Sequence, residues 1–136
     1  MTPVRETRDM IAGMRPVLRP GLWQFRCVTD PTEAATLLPK ALASFRETEA
    51  LSLILPVIAT DEDTVDIPMR CITLEVHSAL DGIGLTAAVA QALTDAAIPC
   101  NVVAAFHHDH IFVPAGQAQT ALDTLLALSA TARDGT

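Results

Sequence analysis

The sequence predicts an α+β fold: an antiparallel sheet covered by helices on one face, around a ferredoxin-like core. Three observations lead there. The C-terminal part runs strand–helix–strand–strand–helix in its apolar patterning. Its two helices are each apolar along one stripe only, so each must lie against a sheet or another helix. The N-terminal part adds three further strands and only short helical pieces. The stretch 76–114, VHSALDGIGLTAAVAQALTDAAIPCNVVAAFHHDHIFVP, is the unit around which the rest is arranged.

The elements follow in order. Residues 7–14 place Met10, Ile11 and Met14 at helical spacing, with Thr7 as N-cap and Asp9 in the first turn. Pro16 ends that helix, and Pro20-Gly21 makes a turn. Over 21–29, Trp23, Phe25 and Cys27 alternate with Gln24 and Arg26, the pattern of a half-buried strand. Asp30-Pro31-Thr32-Glu33 opens a short helical turn carrying Leu37 and Leu38, which Pro39 limits. Residues 43–46 and 50–56 read as two strands about a turn at Glu47-Thr48-Glu49. The second is apolar on both faces and so central in a sheet.

Residues 59–68 break the composition with Asp61-Glu62-Asp63 and Asp66, the mark of a solvated linker. The spacing and glycine of an EF-hand loop are missing there. Residues 69–76 form a strand with Ile72, Leu74 and Val76 on one face. Cys71, Thr73, Glu75 and His77 point to the other, which is expected to be wet or covered by another subunit. A helix over 85–97 buries Leu85, Ala88, Val89, Ala92, Leu93 and Ala96; Asp81-Gly82-Ile83-Gly84 signals its start, and Pro99 follows its end. Residues 101–106 and 111–113 pair as a hairpin with its turn within 107–110. A last helix over 117–128 buries Ala118, Ala121, Leu122, Leu125 and Leu128, and the tail TARDGT frays.

The 136 residues, half of them hydrophobic, suit one compact domain or two small halves sharing a core. The net charge of -7, with no basic cluster, argues against nucleic acid. No apolar run approaches the about 20 residues that cross a bilayer, so no membrane partner is expected. The first fourteen residues lack the layout of a signal peptide, which makes the cytoplasm the expected address. Cys27, Cys71 and Cys100 form no C-x-x-C pair and read as buried thiols.

Three segments carry a resemblance. SFRETEALSLILP (44–56), ITLEVHSALDGIGLTAAVAQAL (72–93) and IPCNVVAAFHHDHIFVP (98–114) resemble the small bacterial ACT-domain proteins with two ACT-like halves. The likeness runs from Met10 to Leu128. It implies two fused ferredoxin-like units, the first degenerate, and pairing into dimers. It divides the chain into a degenerate N-terminal half (1–60), an acidic linker (61–68), a C-terminal ACT domain (69–130) and a flexible tail (131–136). It further implies a regulatory module that binds an amino acid or similar small molecule at the interface between two units. Transferred to this sequence, the binding loop is 77–86, and its counterpart is the turn Ala97-Ile98-Pro99-Cys100-Asn101.

The residues there suit the role. Gly82 and Gly84 allow close backbone approach. The N–H groups of Leu85, Thr86 and Ala87 at a helix start suit a carboxylate. Asp81, and Asn101 across the gap, suit an ammonium or amide. The ligand-binding set is therefore Ser78, Asp81, Gly82, Ile83, Gly84, Leu85, Thr86 and Asn101. The plainer alternative is that Asp81 only caps the helix and the glycines only make the turn.

His107-His108-Asp109-His110 offers ligand types for zinc, nickel or iron. The run straddles a turn, however, and no second acidic or cysteine ligand stands at a familiar spacing. Its imidazoles are expected to bond locally to backbone and Asp109. No G-x-S-x-G, Walker A or G-x-G-x-x-G motif is present, Ser78 and His77 diverge on a strand, and Glu47 with Glu49 reads as a solvated turn. The expected protein is thus a non-enzymatic, homo-oligomeric ACT-type regulator without catalytic residues, metal or cofactor. A ligand-free assembly module and a metal-dependent enzyme built on 107–110 are the alternatives.

Overall fold

The computed structural model describes residues 7–58, 65–76 and 83–134. In chain order the elements are α1 (Thr7–Gly13), β1 (Arg15–Leu18), β2 (Trp23–Val28), α2 (Pro31–Leu37), a 3-10 turn Leu38–Lys40, β3 (Ala43–Arg46) and β4 (Leu51–Pro56). There follow β5 (Met69–Glu75), α3 (Leu85–Asp95), β6 (Asn101–Ala104), β7 (Asp109–Pro114), a 3-10 turn Ala115–Gln117 and α4 (Ala118–Arg133). They group into two compact units, residues 1–20 with 70–136, and residues 21–69. Residues 7–20, which chain order assigns to the N-terminal half, thus group with the C-terminal segment.

In the larger unit β1 lies antiparallel to β5, from Arg15↔Glu75 to Leu18↔Ile72. On its other side β5 neighbours β7, which pairs antiparallel with β6 from Asn101↔Phe112 to Ala104↔Asp109. The helices cover one face. Leu85, Val89 and Leu93 of α3 and Ala118, Ala121 and Leu125 of α4 meet Ile72, Leu74 and Val76 of β5 and Ile111 and Val113 of β7; Met10 and Met14 complete the core. These are the stripes that helical and strand periodicity expose in the sequence.

Strand β1 is a correction. Pro16 does follow the end of α1, but it also pairs with Leu74. Proline lacks a backbone donor and is tolerated where its N–H side faces away from the ladder, so its presence hid a strand. The hairpin turn is a second correction: Ala105 N donates to His108 O at 3.1 Å, and Phe106 and His107 form the tip. Neither is a turn-forming residue type, so the sequence carried no marker for it. A third correction concerns α4, which continues to Arg133 rather than ending at 128, and so takes in the first residues of the tail expected to fray. Arg133 holds it there, with Nη1 donating to Ser129 Oγ at 2.7 Å and to Ala12 O at 3.2 Å.

Helix α3 ends in a Schellman arrangement. Ile98 N donates to Leu93 O and Ala97 N to Thr94 O, both at 2.9 Å, while Ile98 and Leu93 pack in the core. The left-handed residue is Ala97, with φ 59°, where glycine is the usual occupant. Ala97→Gly is expected to stabilise the protein by up to about 1 kcal/mol, since relief of the left-handed strain outweighs the added chain entropy. A melting temperature raised by about 3 °C would register it, and a fall would contradict the assignment.

The smaller unit is the antiparallel sheet β3-β4-β2, with Met69 paired to Trp23. Asp30 caps α2, its Oδ2 accepting from Glu33 N at 2.9 Å. Val28, Leu53 and Leu55 pack beneath Ala34 and Leu37 of that helix. Register therefore puts Gln24 and Arg26 on the helix side with Leu55 and Leu53, and Trp23, Phe25 and Cys27 on the opposite side, where Ile54 is buried and Trp23 half-buried while Phe25 and Cys27 are exposed. This reverses the expectation from alternation. Arg26 stays solvated by reaching Glu33 on α2 at 3.0 Å, while Phe25 and Phe45 are left 47% and 72% exposed. Alternation identifies two faces but not which one the helix covers.

Among the described residues no helix is long and apolar enough to cross a membrane. Asp61, Glu62 and Asp63 lie outside the described residues; residues 65–68 form no regular element, with Asp66 and Ile67 exposed.

Candidate functional site

The start of α3 is built around Gly84. Its φ of 103° is one that L side chains rarely adopt, and it is the N-cap residue, so the helix begins without a capping side chain. Gly84 O accepts from Ala88 N at 2.9 Å, closing the first turn. As at any helix start, the N–H groups of Leu85, Thr86 and Ala87 have no partner within the helix. Leu85 is buried in the core, Thr86 is exposed, and Ile83 is 79% exposed beside the turn. Ser78, Asp81, Gly82 and His77 lie outside the described residues.

Thr7 reaches this turn from α1, its Oγ1 donating to Ile83 O. A Cβ on Gly84 would lie 2.6 Å from Thr7 Cγ2 and 2.7 Å from its Oγ1. Read from sequence, Thr7 was only an N-cap for its own helix; nothing local signals a contact with a residue 76 positions away.

Asn101 is not gathered into the same place. Leu85 opens α3, whose 11 residues at 1.5 Å rise run about 16 Å to Asp95, and Asn101 opens β6 only after that helix and the turn behind it. Within one chain, the structure brings together Ile83, Gly84, Leu85 and Thr86, and leaves Asn101 exposed beyond the far end of α3.

The sheet face opposite the helices carries a polar network. Arg19 donates from Nε to Thr73 Oγ1 at 3.1 Å and from Nη2 to Glu75 Oε2 at 3.4 Å. Arg15 Nε approaches Glu75 Oε1 at 3.5 Å. Thr73 Oγ1 lies 3.0 Å from His110 Nδ1. All three groups are satisfied if Arg19 donates to Thr73 and Thr73 donates to Nδ1, the neutral ring keeping its hydrogen on Nε2. Cys71 and Thr73 are buried here, so this face is neither wet nor dependent on another subunit at those positions; Arg19 itself lies across Thr73. Alternation along β5 places Thr73 and Glu75 together; Arg19 joins them because it continues from β1, its N–H donating to Cys71 O at 2.8 Å, and nothing in the sequence marks that.

The histidines divide by position. His107 stands edge-on to Phe106, ring centroids 5.0 Å apart, at the exposed hairpin tip. His110 is within β7 and bonds across to β5 rather than locally, contrary to the expected turn. Burial, followed by the charges of His108 and Arg19, holds the His110 pKa below its ordinary value; Asp109 works in the opposite sense. Burial pushes the Asp109 carboxyl up, against His110 and His108. Among the described residues, no three His, Cys, Asp or Glu side chains converge to hold a metal ion.

A pH dependence follows. Because the folded His110 pKa is depressed, the unfolded chain takes up that proton first as pH falls below about 6.5. His110 therefore contributes fully above that value and progressively less below it. Asp109, with a raised folded pKa, acts oppositely and only at more acidic pH, toward 3.8. The urea midpoint of the wild type is expected to fall more between pH 7.5 and 5.5 than that of His110→Gln. Parallel losses in the two proteins would refute the assignment.

The cysteines are corrected at one position. Cys71 is buried and Cys100 partly so, and burial raises both thiols; Cys27 is exposed, on the side of β2 away from α2.

Comparison with known proteins supplies context for this geometry. Two family models described as ACT domain match the chain, one over residues 2–71 and the other over residues 66–127. A crystal structure of a protein of unknown function from Vibrio cholerae, described as a possible transport protein, is 35% identical. It has a TM-score of 0.75, with 90% of this chain and 94% of that chain covered. A protein from Agobacterium tumefaciens is 19% identical with a TM-score of 0.64, covering 85% and 89% of the two chains. The regulatory subunit of aspartate kinase from Thermus thermophilus, ligand free, is 11% identical with a TM-score of 0.59, covering 83% and 95%. No curated protein matches the chain.

Proposed function

Because the chain belongs to the ACT-domain family, we propose that it is a regulatory protein rather than an enzyme, acting in the cytoplasm on binding an amino acid or related small metabolite. The residues proposed to hold the ligand are Ser78, Asp81, Gly82, Ile83, Gly84, Leu85 and Thr86, without a cofactor. The observation that carries this reading is the start of α3. A left-handed glycine with no capping side chain precedes N–H groups suited to a carboxylate. Asp81 is assigned to the ammonium. Asn101, beyond the other end of α3, joins such a site only from a second copy of the chain. The proposed ligand therefore sits where two copies meet and acts by favouring that paired arrangement, in proportion to its preference for it. A regulatory role is in keeping with the fold shared with the aspartate kinase regulatory subunit.

The test is a thermal-shift screen of the purified protein against the twenty amino acids. One amino acid should raise the melting temperature by several degrees in a saturable way, since binding to the native state stabilises it by mass action. Asp81→Ala should abolish the response. A flat response to all twenty would overturn the proposal.

A second reading, an assembly module without ligand, is favoured by the exposure of Phe25 and Phe45 on the side of the smaller unit's sheet away from α2. It requires a dimer whose dissociation is indifferent to every amino acid and weakened by Phe45→Ser, as read by analytical ultracentrifugation.

A further inference from the structure

The α3 turn is held from outside by the first helix of the chain, and that helix is itself pinned elsewhere. Thr7 donates to Ile83 O at one end of α1. Arg8 Nε reaches Ala132 O at 3.4 Å. At the other end Ser129 Oγ lies 3.2 Å from Ala12 O and 3.1 Å from Met14 O, sharing one hydrogen between them, and Arg133 Nη1 donates to Ala12 O at 3.2 Å. Met10 and Met14 fix the underside in the core, 1% and 2% exposed. The end of α4 thus supplies donors to the carbonyls closing α1, which a seven-residue helix cannot satisfy internally.

We propose that Thr7 is a positioning residue for the start of α3, and that α1 is the strap that carries it. The inference rests on the ligand reading given above and extends it to a residue outside the binding loop. The Ile83 carbonyl belongs to the peptide that leads into Gly84, so the hydrogen bond from Thr7 fixes the orientation of that peptide. The orientation in turn sets where the first free N–H groups of α3 point. Thr7 also fills the space that a Cβ on Gly84 would occupy, so the turn cannot rock toward α1. Since α1 is anchored on α4, a movement of the turn must either break the Thr7 contact or be passed to α4. A ligand that needs the turn as it stands would find it already arranged, which lowers the ordering cost of binding.

Two variants separate positioning from bulk. Thr7→Val keeps the branched shape and removes the donor; Thr7→Ser keeps the donor. Amide exchange of the full chain, followed by NMR without ligand, should be about fivefold faster at Ala88 and Val89 in Thr7→Val, the worth of one lost hydrogen bond. Thr7→Ser should exchange at the wild-type rate there, and β4 should be unaffected in both. Unchanged exchange at Ala88 and Val89 in Thr7→Val, or acceleration spread evenly over the protein, would overturn the inference. The amino acid giving the largest thermal shift is then titrated. Its midpoint should rise about fivefold in Thr7→Val and not in Thr7→Ser; an unmoved midpoint would overturn the link to binding. If no amino acid shifts the wild type, the ligand reading fails, and the exchange measurement alone decides whether Thr7 positions the turn.

Discussion

Replacing Leu93 with alanine is expected to cost about 3–4 kcal/mol, within the range for deleting a fully buried leucine side chain. Leu93 is 0% exposed and lies where α3 meets β5, β7 and α4. It also takes part in the end of its helix: its carbonyl accepts from Ile98, and the two side chains pack together to close the Schellman turn. The substitution therefore opens a cavity and loosens the turn that directs the chain into β6. A small domain has about 5–15 kcal/mol in total, so the loss is a large share of it. Urea unfolding followed by circular dichroism at 222 nm reads the effect, with the midpoint shifted and the slope kept. Leu126→Ala, at a position 44% exposed on the next helix, should cost less than about 1 kcal/mol. A Leu93→Ala loss as small as that control would mean the helix packs elsewhere.

The contrast between Leu93 and Phe25 marks what the sequence discloses. Leu93 belongs to a helical stripe that has only one apolar side, so its burial is legible from spacing alone. Phe25 belongs to a short strand in which Trp23, Phe25 and Cys27 form the obvious apolar face, yet Val28 and the partners Leu53 and Leu55 lie under the helix. The choice is made by β4, whose two faces are both apolar, and by α2, whose approach is a tertiary fact. Strand β1 escaped notice for a local reason, Pro16, and the hairpin tip because Phe106 and His107 are not turn-forming types. The candidate site was legible in part. Gly82-Ile83-Gly84 announces a special backbone, and Gly84 does adopt a left-handed φ. What spacing cannot report is that Thr7 lies against it, or that Asn101 stands beyond the opposite end of α3, because both depend on how distant segments cross.

Gly84→Ala is expected to cost about 2–4 kcal/mol, as the sum of two separable terms. The first is conformational: an L side chain at φ 103° is strained by about 1–2 kcal/mol wherever it stands. Gly21 measures that term alone, because its φ is 93° and a Cβ there meets nothing within 4 Å. The second term is steric. The added Cβ would lie 2.6 Å from Thr7 Cγ2, and threonine, branched at Cβ, has little freedom to turn away. Thr7 cannot retreat with its backbone unless α1 draws Met10 out of the core and breaks the α4 contacts that hold it. Gly84→Ala should therefore exceed Gly21→Ala by about 1–2 kcal/mol in urea unfolding. Removing Cγ2 and Oγ1 in Thr7→Ala should cancel most of that excess, so the double variant is more stable than the sum of the single losses predicts. Strict additivity, or equal losses at the two glycines, would show that Thr7 does not bear on the turn. A non-additive cycle would tie residue 7 to the start of α3 energetically as well as geometrically, and would do so without any ligand.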